Sequence, residues 1–127
     1  MKIVKDSKIV AKIVIIDKKN RVLLLKRSKN HKKFPEEMDL PGGHLNENEP
    51  LLKGLEREVD EETGLKVKDP VFYKTEGNKH FFYMRYDSSP IKLSHEHTSY
   101  GFFGKKELKK DKKFEKIALE VLEMIKR

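Results

Sequence analysis

Glu58, Glu61 and Glu62 stand at i, i+3 and i+4 in the segment LLKGLEREVDEETG, residues 51–64. Leu52, Leu55 and Val59 recur there at helical spacing and predict a helix with those three residues facing a core. On such a helix the three carboxylates span about 100° of the circumference. Like charges at i, i+4 oppose each other by a few tenths of a kcal/mol, so the helix gains nothing from this crowding. A bound divalent cation would remove the repulsion. Carboxylates are hard oxygen ligands suited to Mg²⁺ or Mn²⁺, and such an ion polarises a phosphoryl oxygen and acidifies bound water. The plain alternative is a solvated acidic face, and the three glutamates alone do not decide between the two.

The surrounding elements must position these groups. Leu40-Pro41-Gly42-Gly43 marks a backbone that bends sharply or approaches something closely. Asn48 is placed to cap a helix that begins at Glu49-Pro50, and Gly64 to end it. Upstream, residues 9–17 (IVAKIVIID) and 21–26 (RVLLLK) flank the turn Asp17-Lys18-Lys19-Asn20 and predict a hairpin. Their nearly continuous apolar runs predict strands covered on both faces. Residues 28–37 are polar and aperiodic and read as a loop. Strands are expected at 67–74 and 79–87 around Glu76-Gly77-Asn78, and a short one at 100–103. Phe114, Ile117, Ala118, Val121 and Ile125 form the stripe of a final helix. Strands before, between and after two helices predict helices packed on a mixed sheet, an α/β architecture.

The chain has 127 residues, which suits one domain spanning 1–127. It contains no cysteine, so disulfides and Cys-based zinc sites are excluded. That composition suits a reducing compartment, and the cytoplasm is the expectation. No stretch approaches the roughly 18 apolar residues that span a bilayer, and residues 1–6 lead into the first strand without the pattern of a leader. No membrane partner is expected, and the sequence is silent on oligomeric state. The formal net charge of +8 favours anionic ligands and permits nonspecific contact with nucleic acid. Much of it lies at 105–116, where it also reads as a solvated helix entry.

Residues 43–65, GHLNENEPLLKGLEREVDEETGL, carry a pattern beyond the acidic triplet. Gly43, then Glu49, then Arg57-Glu58-Val59, then Glu61-Glu62, then Gly64-Leu65 fill every specified position of the Nudix box at the box spacing. The chain thus resembles the Nudix hydrolases of the MutT type, and its order of elements resembles the Nudix α/β/α sandwich with a mixed central sheet. The resemblance implies a pyrophosphohydrolase that uses Mg²⁺ or Mn²⁺ to cleave a phosphoanhydride in a nucleoside diphosphate linked to another moiety. It implies Glu58 and Glu62 as main metal ligands, Glu61 as a further ligand or general base, and the Gly43 carbonyl as part of the metal shell. Arg57 takes an orienting role, holding a glutamate such as Glu49, and stands at pairing distance in sequence from Glu61 as well. Ser94-His95-Glu96-His97 resembles the late acidic loop of the family, which makes Glu96 the candidate for an extra ligand or base. His95 and His97 read as loop histidines.

Substrate choice lies outside the box. Arg27 could reach phosphate, His44 could face substrate beside the glycine pair, and Phe81 or Tyr83 could stack on a base. His80 stands where members resembling ADP-ribose hydrolases carry proline, and the extended motif of NADH-cleaving members is absent. Met38 and Phe102 stand where many members have tryptophan, which preserves apolar bulk. The short chain resembles members that hydrolyse nucleoside triphosphates, so a small nucleotide is the favoured substrate. An RNA 5′ pyrophosphohydrolase and an inactive nucleotide- or RNA-binding module are the alternatives.

Overall fold

The β-branched run at the start of the chain forms β1 (Asp6–Ile16), the middle of a sheet that also contains β2 (Val22–Arg27), β3 (Met38–Asp39), β4 (Gly42–Asn46), β5 (Val71–Glu76), β6 (Lys79–Arg85) and β7 (His97–Phe103). The helices are α1 (Leu51–Thr63) and α2 (Lys113–Ile125). The computed structural model describes residues 6–29 and 37–125. Residues 30–36 of the expected loop and residues 1–5, read above as carrying no leader, lie outside the described residues. Among the described residues no helix is long and apolar enough to cross a membrane.

β1 runs parallel to β6, from Val10↔Lys79 to Ile16↔Arg85, and antiparallel to β4. β2 lies antiparallel to both β3 and β7, and β5 antiparallel to β6. The sheet is therefore mixed, and the period-2 geometry of its strands sorts their side chains between two helices. Ala11, Ile13, Ile15, Leu23, Leu25, Phe82 and Met84 pack with Leu55 and Val59 of α1. Val14, Ile16, Val22, Leu24 and Phe81 pack with Ile117, Ala118, Val121 and Leu122 of α2. Each face carries its own helix, which gives the expected α/β/α sandwich.

The hairpin differs from expectation in an instructive way. Asp17 accepts hydrogen bonds from the Lys19 and Arg21 N–H groups and from Arg21 Nε, and closes the turn. Beyond it only Ile16↔Val22 pair. The strands then diverge, and the segment before β4 enters the gap, with Ile13 N–H donating to the Pro41 carbonyl at 2.9 Å. β3 and β4 themselves were hidden in the sequence by the Pro-Gly-Gly punctuation.

Other boundaries shift for local reasons. β5 begins at Val71 rather than 67 because Asp69 takes a φ of 47° and Pro70 has no N–H for a ladder. β7 begins at His97 because its polar residues Thr98, Ser99 and Tyr100 are exposed while the backbone still pairs with β2. Asn48 does not cap α1: its φ is 63°, Pro50 holds the cap position, and no side chain caps the helix. The Glu49 carboxylate instead closes the turn by accepting from Asn46 N–H at 2.8 Å. Gly64 ends the helix in the left-handed conformation, its N–H on the Asp60 carbonyl.

The core stripe of α1 runs through Leu51, Leu55 and Val59 in steps of four and then Glu62 after a step of three, which leaves Leu52 on the rim at 45% exposure. Leu55→Ala is therefore expected to lower stability by about 2–5 kcal/mol, and Leu52→Ala by no more than about 0.5 kcal/mol. Urea unfolding midpoints of the two variants check the assignment. Equal losses would mean that both leucines face the core.

Candidate active site

Gly42 brings β4 against β1, and Gly43 brings it against the Glu58 side chain of α1, so closely that added side chains would collide there. Gly42 has a φ of +123°, which side-chain-bearing residues rarely adopt, and a Cβ on it would fall on the Ala11 carbonyl oxygen. A Cβ on Gly43 would lie 2.5 Å from Glu58 Oε2. The bend also turns Gly42 N–H toward the helix, where it donates to Glu62 Oε1 at 2.8 Å. The two glycines thus admit two carboxylates from successive turns of α1 to one short stretch of backbone.

Arg57 organises the outer side of this stretch. Its Nε and Nη2 donate to the two oxygens of Glu49 at 2.9 and 3.0 Å, a forked pair that fixes the guanidinium plane. Nη1 donates to Glu58 Oε1 at 3.0 Å and to Glu61 Oε1 at 3.0 Å, and Nη2 also reaches the His44 carbonyl. The Arg57 hydrogen bond, against a smaller opposing effect of burial, holds the Glu49 carboxyl below its ordinary range.

Burial sets the electrostatics of the other two carboxylates. Glu62 is only 6% exposed, and desolvation pushes its carboxyl up to about 8. The nearby Lys12 charge and the Gly42 N–H oppose this shift, while Asp39 and Glu58 add to it. Glu58 is raised too, again by burial first, with Arg57 pulling the other way. These are two carboxylates whose charge the protein only partly compensates. All the oxygens involved are hard donors that suit Mg²⁺ or Mn²⁺ and would gain from either.

The candidate residues do not all converge. Glu61 is 58% exposed and is held by Arg57. Glu96 is exposed on the turn before β7, its carbonyl accepting from Ser28 N–H. Among the described residues no three His, Asp or Glu side chains form a group able to hold an ion unaided, while Glu58 and Glu61 meet at one Arg57 nitrogen. His44 is exposed on β4 beside Gly43. Arg27 is turned inward, with Nε on Asp39 Oδ2 at 3.2 Å. The stacking role considered for Phe81 and Tyr83 does not fit. Both lie on the α2 face of β6, opposite α1, and Phe81 is fully buried edge-on to Phe114. His97, read as a loop residue, is the buried first residue of β7, its Nε2 3.3 Å from Asp39 Oδ2.

Lys12 and Asp39 escaped the sequence reading altogether. The signal was a lysine inside an apolar strand covered on both faces, and an aspartate directly before the Leu-Pro-Gly-Gly run.

The raised Glu62 carboxyl has a pH signature. The folded protein retains this proton from about pH 4.5 to about 8 while the unfolded chain releases it. Its contribution to stability is therefore complete below 4.5 and is lost as pH rises through 8. In metal-free buffer the melting temperature of the wild type should fall relative to Glu62→Gln across this window, and Mg²⁺ should restore only the wild type. Parallel pH curves for the two proteins would contradict the burial of a charged carboxylate here.

Comparison with known proteins agrees with this fold. The NUDIX domain family profile matches residues 6–123. The 8-oxo-dGTP diphosphatase of Buchnera aphidicola is 45% identical over 56 residues, a stretch covering 43% of this chain and 42% of that protein. The chain thus matches less than half the length of that relative. The MutT protein of Methanosarcina mazei superposes with a TM-score of 0.71 at 28% identity, covering 94% of both chains. The MutT NUDIX hydrolase of Burkholderia pseudomallei gives 0.73 at 22% identity over 88% of this chain and 95% of that one. The Ap4A hydrolase of C. elegans gives 0.66 at 20% identity over 92% and 95%. With the family profile spanning nearly the whole chain and the same fold in MutT proteins, this protein belongs to the NUDIX domain family and is MutT-like.

Proposed function

We propose that this protein hydrolyses a phosphoanhydride bond in a nucleoside diphosphate linked to another moiety, with a nucleoside triphosphate as the favoured substrate. The observation that carries the reading is the pair of carboxylates, half-buried Glu58 and buried Glu62, pressed against the Gly42-Gly43 bend. Stability alone would not select two partly compensated charges at this position. Glu58, Glu62 and the Gly43 carbonyl would hold Mg²⁺ or Mn²⁺. When bound, the ion supplies charge neutralisation at the phosphate oxygens and a more acidic water.

The chain's own residues do the rest. Water attacks phosphorus, the bridging P–O bond breaks, and the water's proton passes to a carboxylate. Glu61 and Glu96 are the candidates for that base, since both are exposed and can reach solvent-borne water. Arg57 keeps Glu58 and Glu61 oriented through one guanidinium anchored on Glu49. His44 on β4 and Arg27 at the end of β2 are the substrate-facing candidates, the latter through the part of its guanidinium not bonded to Asp39. The choice of a triphosphate is supported by the Buchnera relative, whose name gives 8-oxo-dGTP as its substrate. The exposed lysines 106, 109, 110, 112, 113 and 116 favour a second reading, action on the triphosphorylated 5′ end of RNA.

A panel of nucleoside triphosphates, dinucleoside polyphosphates and 5′-triphosphorylated RNA, assayed with Mg²⁺ and Mn²⁺ and resolved by chromatography, separates these readings. Faster pyrophosphate release from RNA than from free triphosphates would select the second. Inactivity across the panel would leave a binding module on this scaffold. Glu62→Gln is expected to abolish turnover at saturating metal while the protein stays folded, and full activity in that variant would remove the metal assignment. Of Glu61→Gln and Glu96→Gln, the variant that loses roughly 10²–10⁴-fold in kcat identifies the base.

A further inference from the structure

Lys12 is out of place in β1. It interrupts an apolar run, it is 5% exposed, and its ammonium lies over the Phe114 ring at 5.2 Å. Its three N–H donors are all used: on Asp39 Oδ1 at 2.9 Å, on the Leu40 carbonyl at 3.1 Å and on the Gly42 carbonyl at 3.0 Å. The other oxygen of Asp39 takes Arg27 Nε from β2 and faces His97 Nε2 from β7. A buried ion pair of this kind is often no more stable than apolar side chains of the same size. What apolar side chains cannot do is grip two carbonyls in fixed orientation.

The gripped carbonyls flank the peptide that matters. The Leu40–Pro41 and Gly42–Gly43 peptide planes are held by Lys12. Between them, the Pro41–Gly42 plane gives its carbonyl to Ile13 N–H and its own N–H to Glu62 Oε1. Three successive planes are thereby locked, and the middle one aims the Glu62 carboxylate. We infer that Lys12 and Asp39 form an internal clamp that positions Glu62 and Gly43 and so sets the affinity of the site for a divalent cation. The inference rests on the reading above that Glu58 and Glu62 hold that cation.

Charge and geometry predict opposite outcomes, which makes the clamp testable. As a mere positive charge near Glu62, Lys12 repels a cation, so its removal would tighten metal binding. As a clamp, its removal loosens the site. Lys12→Met keeps an unbranched apolar side chain at the position and leaves Asp39 with Arg27 and His97. Mn²⁺ binding, measured by electron paramagnetic resonance of the free ion, is expected to weaken by roughly 10-fold or more, with kcat recovering at saturating metal. The double variant Lys12→Met/Asp39→Leu replaces the pair by apolar groups. It is expected to regain melting temperature over Lys12→Met without regaining Mn²⁺ affinity. Unchanged or tighter Mn²⁺ binding in Lys12→Met would overturn the clamp, as would affinity that returns with stability in the double variant. A wild type that binds no Mn²⁺ would overturn the metal reading itself, and the clamp with it.

Discussion

The hydrogen bond from Gly42 N–H to the buried Glu62 carboxylate is the constraint on which the rest of the site depends. It fixes where α1 sits along β4, because a helix whose carboxylate must reach a particular backbone amide cannot slide by a turn. It explains why the bend must be glycine, since a φ of +123° and the Ala11 carbonyl leave no space for a side chain. It also places Glu58, one turn earlier, over Gly43. Two positions of one helix and two of one strand are thus a single geometric unit.

Around that unit the charges are arranged in two layers. Outside, Arg57 ties Glu49, Glu58 and Glu61 together at a partly exposed position. Inside, burial pushes the Asp39 carboxyl up, but Lys12, His97 and Arg27 outweigh it and hold Asp39 well below the usual carboxylate range. Asp39 is accordingly a fixed negative charge at any ordinary pH. Glu62 lies between the layers with less compensation than either. The layering is what makes its carboxylate basic while the other buried acid stays ionised.

Much of this was legible before any coordinates. Continuous apolar runs assigned β1 and β2, the turn at Glu76-Gly77-Asn78 placed β6, the 3.6-residue period assigned α1 and α2, and the spacing of Gly43, Glu49, Arg57, Glu58 and Glu62 marked the unit described above. What escaped was tertiary. A two-residue strand such as β3 carries no period, and β4 begins on two glycines that read as punctuation. The face chosen by Phe81 depends on register with β1, which no local pattern contains. Lys12 was visible as a charge in an apolar run, but its partners lie on other strands, and only folding brings them together. Leu52 shows the same limit on a smaller scale, since helical spacing names a stripe but not which neighbour at its margin is covered.

The parallel pairing of β1 with β6 has a consequence for how the chain reaches this state. β1 precedes the other described strands in the chain, yet the ladder that covers most of its length runs from Lys79 to Arg85, and its turn-linked neighbour β2 meets it at a single residue pair. Closing so long a loop costs entropy before any contact repays it, and such non-local topologies fold slowly. During synthesis the apolar strand VAKIVII must therefore wait, unpartnered along most of one edge, until the ribosome has delivered the second half of the sheet. The lysine in its middle interrupts the stretch most prone to self-association during that interval.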